Sequence, residues 1–302
     1  MSLSEKIKKL KQEKKAVILA HNYQLPEIQD LADYVGDSLG LSIQASQTDA
    51  DVIVFCGVSF MAETAKILSP QKTVLIPDKD AGCPMARMIT ADQLKALKSK
   101  HPDAKVICYV NSTAEVKAES DLCCTSANAV KMVNEALKDA KEIIFIPDQY
   151  LAGYASLKTG RDMIIWKGYC PSHVKILPEY VQEQKRLHPE AKVLVHPECR
   201  PEVIALADEV LSTEGMLRFS RKSEAKEIII GTEIGIIHRL KKENPGKTFY
   251  PASHLAVCPN MKKITLEKVL WSLDTMDYRV EIPQAILSKA KISIEKMLDY
   301  RD

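Results

Sequence analysis

A Cys-Pro pair recurs along this chain at steps of 87 and 88 residues: Cys83-Pro84, Cys170-Pro171 and Cys258-Pro259. Each pair follows a short apolar run, TVLIP at 73–77, DMIIW at 162–166 and KTFYP at 247–251. The other five cysteines, Cys56, Cys108, Cys123, Cys124 and Cys199, have no proline after them. A repeat of this length means one supersecondary unit used three times. The same thiol then stands at the end of the same strand in each unit. If the units surround a common axis, the three thiols meet at one point, which is a metal site with three protein ligands.

The rest of the chain keeps the period. First strands are predicted at AVILAHNYQ (16–24), KVICYVNST (105–113) and KVLVHPECR (192–200). Second strands are predicted at DVIVFCG (51–57), EIIFIPD (142–148) and EIIIGTE (227–233), and the third strand is the run before each Cys-Pro. Apolar runs of strand length alternating with amphipathic helical stretches make a parallel α/β sheet. Between the first two strands, ADYVGDS (32–38), SDLCCTS (120–126) and ADEVLST (207–213) align without gaps. Their last residues, Ser38, Ser126 and Thr213, each open a helical stretch, and a hydroxyl there is expected as the N-cap. Three such helix starts would offer backbone N–H groups and hydroxyls to an anion.

The units are therefore placed at residues 1–88, 89–175 and 176–262. Each is a small β-α-β-α-β sandwich with a thin core, so packing three together is a sound way to gain burial. Residues 263–302 carry two further amphipathic helical stretches interrupted at Pro283, expected to pack back on the first unit as a closing strap.

With 302 residues the chain holds one to three domains, and 46% hydrophobic with 27% charged residues is ordinary for a soluble globular protein. A net charge of +2 gives no reason to expect nucleic acid or an anionic membrane as partner. The start, MSLSEKIKKLKQEKK, lacks the apolar stretch of a secretory signal, and no apolar run approaches the ~18 residues of a membrane span. A cytoplasmic location is expected, where thiols stay reduced. Eight cysteines then read as metal ligands, catalytic groups or buried small hydrophobes. The absence of any C-x-x-C argues against a zinc ribbon and a thioredoxin-like site.

In α/β sheets ligands bind beyond the carboxyl ends of the strands. The first strands are followed there by His21-Asn22-Tyr23, Tyr109-Val110-Asn111 and His196-Pro197-Glu198. The second strands contribute Ser59, Asp148 and Thr232-Glu233, and the third strands the three cysteines with His173 and His254 nearby. Taken singly, a His or Tyr after a strand is more often a loop residue, and a buried Cys is usually just a small hydrophobe. Three Cys-Pro pairs and three hydroxyls in matching register are what packing alone does not explain. Cys56, Cys108, Cys123 and Cys124 read as core or loop thiols, and Cys199 is left open.

Three thiolates favour zinc, copper(I) or iron–sulfur. A structural zinc closes with a fourth ligand. No fourth cysteine keeps the period, although His173 or His254 could serve. An iron–sulfur cube on three cysteines leaves one iron open to polarise a substrate oxygen.

At this point the sequence resembles the quinolinate synthase (quinolinate synthetase A) family over essentially its whole length. The resemblance rests on AHNYQ at 20–24, GDS at 36–38, YVNST at 109–113, TSANA at 125–129 and the Cys-Pro-x-His run at 170–173. It continues in HPEC at 196–199, STEGM at 212–216, GTE at 231–233 and CPNMK at 258–262. It implies an α/β fold of three pseudo-symmetric three-layer αβα units with short parallel sheets, arranged in a triangle around a central active site. It also implies a [4Fe-4S] cluster on Cys83, Cys170 and Cys258, acting as a Lewis acid and not as an electron carrier. The reaction implied is condensation of iminoaspartate with dihydroxyacetone phosphate to quinolinate, with loss of phosphate and water, in NAD biosynthesis. A transient handover from the iminoaspartate-producing enzyme is an expected partner contact.

The residues suit that chemistry. Ser38, Ser126 and Thr213 are expected to hold the substrate anions, with hydrogen bonds from His21, Asn111 and His196. Tyr23 and Tyr109 are candidate proton shuttles, Glu198 a candidate base, and His173 a group that touches substrate or tunes the cluster. The competing readings are a zinc-dependent lyase or hydrolase and an iron–sulfur sensor without turnover. A radical enzyme using S-adenosylmethionine fits poorly, because its cluster ligands come close together in one loop.

Overall fold

The computed structural model describes residues 2–300. The chain is α/β and builds three separate four-stranded sheets, every strand pair parallel. The first holds β1 (Ala16–His21), β2 (Tyr34–Gly36), β3 (Val52–Cys56) and β4 (Thr73–Leu75), in the order β2-β1-β3-β4. The second holds β5 (Lys105–Tyr109), β6 (Leu122–Cys124), β7 (Ile143–Ile146) and β8 (Ile164–Ile165), in the order β6-β5-β7-β8. The third holds β9 (Lys192–Val195), β10 (Glu209–Val210), β11 (Glu227–Gly231) and β12 (Thr248–Pro251), in the order β10-β9-β11-β12. Each sheet thus repeats one strand order.

Four strands per sheet correct the expectation of three. The extra strand, β2, β6 or β10, has only two or three residues and lies inside the gapless register at 32–38, 120–126 and 207–213. Strands this short fall below the run length that a sequence pattern resolves. The register has a physical cause. Its aspartate, Asp33, Asp121 or Asp208, accepts from the backbone N–H of Ile18, Val106 or Val193 through Oδ2, each at 2.8 Å. The same aspartate's own N–H returns to the carbonyl of that residue, at 3.0, 3.1 and 2.9 Å. One carboxylate thereby clamps the start of the short strand to its neighbour in every sheet.

The inner strands β3 and β7 are buried along their whole length, and β11 along its last four residues. Helices cover both faces of a parallel sheet, which is why VIVFC, IIFI and IIIG are continuous apolar runs and do not alternate. One apolar core runs through all three units and takes in Leu194, Ile228 and Ile230 of the third sheet, and a smaller cluster around Ile176, Val181, Val193, Val203 and Ile229 belongs to the third unit alone. A fully buried lysine bolts the first two units together. Lys117, on the helix Ala114–Ala118, donates to Phe60 O (3.2 Å) and Thr64 Oγ1 (2.9 Å) of the helix Ser59–Leu68.

The strap divides. The helix Leu266–Thr275 lies against the helix Leu3–Glu13 and β3 of the first unit. The chain after it extends the edge of β4, where Ile76 N–H donates to Tyr278 O (3.1 Å) and Val280 N–H to Val74 O (2.8 Å). The last helix, Gln284–Leu298, instead crosses to the helix Ala114–Ala118 and β6 of the second unit while touching Ser59–Leu68 of the first. Its buried face of Leu287, Ala290, Ile294 and Met297 covers apolar surface from both units at once. Residue 1 of the expected first unit and residues 301 and 302 of the expected strap lie outside the described residues. Among the described residues no helix is long and apolar enough to cross a membrane.

Candidate active site

The thirteen residues to which the resemblance gives a role line one cavity: His21, Tyr23, Ser38, Cys83, Tyr109, Asn111, Ser126, Cys170, His173, His196, Glu198, Thr213 and Cys258. They come from all three sheets. His21 and Tyr109 end β1 and β5, and His196 follows β9 directly. Met61, Met85 and Met261 supply apolar wall, and Asp37, Thr125, Ser172 and Glu233 further polar groups. His254, weighed as a fourth metal ligand, is exposed and does not line the cavity.

The three Cys-Pro pairs share a local geometry. A short 3-10 turn follows each, at Met85–Arg87, His173–Lys175 and Met261–Lys263. Each sulfur accepts from the backbone N–H groups two and three residues on: Met85 and Ala86 for Cys83, Ser172 and His173 for Cys170, Asn260 and Met261 for Cys258. Proline at the second position supplies the φ that starts such a turn. Burial pushes all three thiols up, Cys83 to about 12, against the pull of those N–H groups. A metal must therefore displace protons to bind, and the N–H groups are already set to meet sulfur charge. All eight cysteines are free thiols.

The spacing of the sulfurs is informative. Among the described residues, the group of three ligating atoms lying within 4.8 Å of one another is Cys170, His173 and Glu198. The three Cys-Pro sulfurs do not all lie within that distance of one another. A tetrahedral zinc with Zn–S near 2.3 Å needs its sulfurs about 3.8 Å apart. Three half-buried thiols, each met by two backbone N–H donors, are a donor set that could hold a metal.

Beside the sulfurs lies a buried relay. Glu198 Oε1 accepts from Tyr109 Oη at 2.5 Å and from Asn111 Nδ2 at 3.3 Å. Glu198 Oε2 stands 2.7 Å from His173 Nδ1, without hydrogen-bond alignment. His173 Nε2 lies 2.8 Å from Thr232 Oγ1, and that hydroxyl lies 2.6 Å from Tyr23 Oη. Tyr23, Tyr109, His173, Glu198 and Thr232 are each at most 8% exposed. Burial works against the Glu198 carboxylate, but His173 beside it, His196 and the Tyr109 hydroxyl hold it well below the usual carboxylate range. Burial, then the Glu198 charge, pushes both tyrosines well up, so their O–H protons stay in place as donors. Burial chiefly lowers His21 and His196 to about 3, so both imidazoles are neutral.

Thr232 is the member that sequence reasoning left without a role. It is the first residue after β11, and its position at a strand end was the available signal. The same strand-end reading also drew in Asp148, whose Oδ1 accepts from Tyr150 and Leu151 N–H to cap the helix Gln149–Thr159; it also accepts from Cys170 N–H but does not line the cavity. Cys199 is fully buried in the third unit's core, with its thiol 3.4 Å from Gly231 O.

The hydroxyl caps need a one-residue correction. Asp37 Oδ1 caps the helix Ser38–Gln47 by accepting from Gly40 N–H, and Ser212 Oγ caps Thr213–Lys222 by accepting from Gly215 N–H. Ser38 and Thr213 are the next residues. In the second unit the helix begins only at Ala129, and Ser126 sits in the turn before it, closed by Asn128 Oδ1 on Thr125 N–H. Asp-Ser and Ser-Thr both offer two residues able to cap, and the sequence alone does not separate them. The offset leaves the helices capped by other oxygens and the Ser38, Ser126 and Thr213 side chains on the cavity wall.

Comparison with known proteins gives one consistent result. The sequence profile described as Quinolinate synthetase A protein matches residues 5–299. The quinolinate synthase of Dehalococcoides mccartyi is 58% identical over 296 residues, 98% of this chain and 97% of that relative. Quinolinate synthases of Methanosarcina barkeri and Methanoregula boonei are 53% and 54% identical over 296 residues, with the same coverage.

Proposed function

Since the chain belongs to the quinolinate synthetase A family, we propose that it condenses iminoaspartate with dihydroxyacetone phosphate to quinolinate, releasing phosphate and water, in the cytoplasm. The observation that carries this reading is the convergence of one Cys-Pro thiol from each of three sheets on a cavity that also holds hydroxyls, imidazoles and a buried carboxylate. Cys83, Cys170 and Cys258 would hold a [4Fe-4S] cluster. When bound, it supplies an open iron as Lewis acid toward substrate oxygens.

The chain's own residues divide the remaining work. The substrates together carry two carboxylates and a phosphate, and Ser38, Ser126 and Thr213 at or near three helix starts are placed to hold anions. His21 Nδ1 accepts from Tyr23 N–H (3.2 Å), so its neutral ring keeps a proton on Nε2 as a donor. Enolisation and dehydration need proton transfers. Tyr23 Oη meets Thr232 Oγ1, which meets His173 Nε2, and His173 Nδ1 stands beside Glu198, whose carboxylate also holds the Tyr109 hydroxyl, so proton donors and the base lie in one connected set. Glu198, ionised and facing the cavity, is the base. The unit boundaries near 88, 175 and 262 belong to the same proposal.

The test is iron, sulfide and zinc content of protein purified without oxygen, with quinolinate formation measured on the same samples. About four irons and four sulfides per chain, lost on Cys→Ala change at 83, 170 or 258 but not at 56, are expected. One zinc and no sulfide would overturn the cluster, and no quinolinate from a loaded protein would overturn the reaction.

A further inference from the structure

The hydroxyl of Thr213 is not left to rotate. Asn22, fully buried and outside the cavity lining, donates from Nδ2 to Thr213 Oγ1 at 2.9 Å. An amide can point either way, but here Asn22 Oδ1 meets Arg239 Nη1 at 2.9 Å. A guanidinium has donors and no acceptor, so the amide oxygen must face it. The amide nitrogen must then face Thr213. A hydroxyl that accepts one bond keeps its single proton for another partner.

Arg239 is itself fixed. Its Nη1 donates to Val35 O (2.8 Å) and pairs with Glu214 (3.2 Å), and its Nε pairs with Glu243 (2.6 Å). With two carboxylates on it, Arg239 acts through the amide more than through its charge. The backbone of Asn22 is held as well, its N–H donating to Gly36 O at 3.0 Å and its carbonyl accepting from Gln29 Nε2 at 3.2 Å.

A second hydroxyl obeys the same logic by another route. His196 Nδ1 accepts from Glu198 N–H at 3.3 Å, so the neutral ring carries its proton on Nε2. That nitrogen lies 3.1 Å from Ser126 Oγ. Two hydroxyls on the cavity wall are thus each met by a donor of fixed orientation, Thr213 by Asn22 from outside the lining and Ser126 by His196 within it.

We infer that Asn22, oriented by Arg239, is a positioning residue that sets the Thr213 hydroxyl as a hydrogen-bond donor into the cavity, toward an anionic oxygen of the ligand. This rests on the reading of Thr213 as an anion-holding group. The ligand chemistry is an oxyanion, and a phosphate and a carboxylate are its two sources.

The test titrates inorganic phosphate and, separately, succinate into cluster-loaded protein by calorimetry. The variants are Thr213→Val, Asn22→Leu, Asn22→Asp and the double Asn22→Leu/Thr213→Val. Loss of one bond to a charged oxygen is expected to weaken whichever anion Thr213 holds by roughly tenfold to a hundredfold in Thr213→Val. Asn22→Leu is expected to weaken it too, and to add nothing in the Thr213→Val background. Asn22→Asp keeps shape and the Arg239 pair but can only accept, so it turns the Thr213 proton away and weakens binding while the protein remains folded. If Asn22→Leu does not fold, Asn22→Asp and Arg239→Gln carry the test. Thr213→Val without effect on either anion would overturn the anion reading. Thr213→Val with an effect, but Asn22 variants without one, or with an equal further loss in the double variant, would overturn the positioning role alone.

Discussion

Replacing His196 by asparagine is expected to flatten the acid side of the stability profile. His196 is 3% exposed, and burial, with His173 against it, holds its pKa at about 3 from an ordinary 6.5. A folded-state pKa below the unfolded value means stability that is complete above about pH 6.5 and is lost as pH falls toward 3. At pH 5 the unfolded chain has taken up nearly a whole proton that the folded chain refuses. Relative to pH 7.5 that costs about 2 kcal/mol for this one imidazole, against a total of roughly 5–15 kcal/mol. Asparagine can still accept from Glu198 N–H and does not titrate. Glu198, held low, loses its own contribution only below its ordinary value of 4.5, outside this window. Asp148 runs the other way, because burial pushes its carboxyl up and it gains stability as pH falls, but it cancels in the difference between the two proteins. Urea unfolding at pH 7.5 and 5.0, at one ionic strength, measures that difference. His196→Asn should lose about 2 kcal/mol less than the parent between the two pH values. Equal losses would mean that the buried ring accepts a proton in place, and would refute the reasoning.

Two substitutions probe the rest of the site. A Cβ at Gly168 would sit 2.4 Å from Pro147 O, so Gly168→Ala must move the strand leading to Cys170 by about 1 Å to restore ordinary contact. That strains the bond from Gln149 N–H to Gly168 O (2.8 Å); a loss of roughly 1–3 kcal/mol in thermal melts, together with lower iron retention, is the expected result. Thr232→Val keeps volume but breaks the link between Tyr23 and His173. Quinolinate formation should fall about 100-fold with unfolding free energy within about 1 kcal/mol of the parent, and undiminished turnover would remove Thr232 from the relay.

Much of the candidate site was legible because it follows strand ends in a repeating unit. Once β1, β5 and β9 are placed, His21, Tyr109 and His196 fall at their carboxyl ends, where parallel sheets present their ligands. Thr232 was visible as a position but not as a role. Its partners, Tyr23 and His173, are 209 and 59 residues away, and nothing local marks the contact. Asn22 was passed over for the same reason, since its partners Thr213 and Arg239 lie 191 and 217 residues on.

The period of 87 and 88 residues, the Cys-Pro at its end and the apolar runs between were enough to establish three like units, each bringing one thiol to the same place. Those are local regularities, set by φ at proline, by strand-length apolar runs and by a clamping aspartate, and every unit carries its own copy. Tertiary structure alone decided which oxygen of Asp37-Ser38 and Ser212-Thr213 caps the helix and which is left for the cavity. It also decided that the last helix closes over two units, and that a carboxylate, an imidazole, a hydroxyl and a phenol from three sheets form one relay. Such choices depend on which groups meet across the units, and the free energy of those meetings is absent from any single stretch of chain.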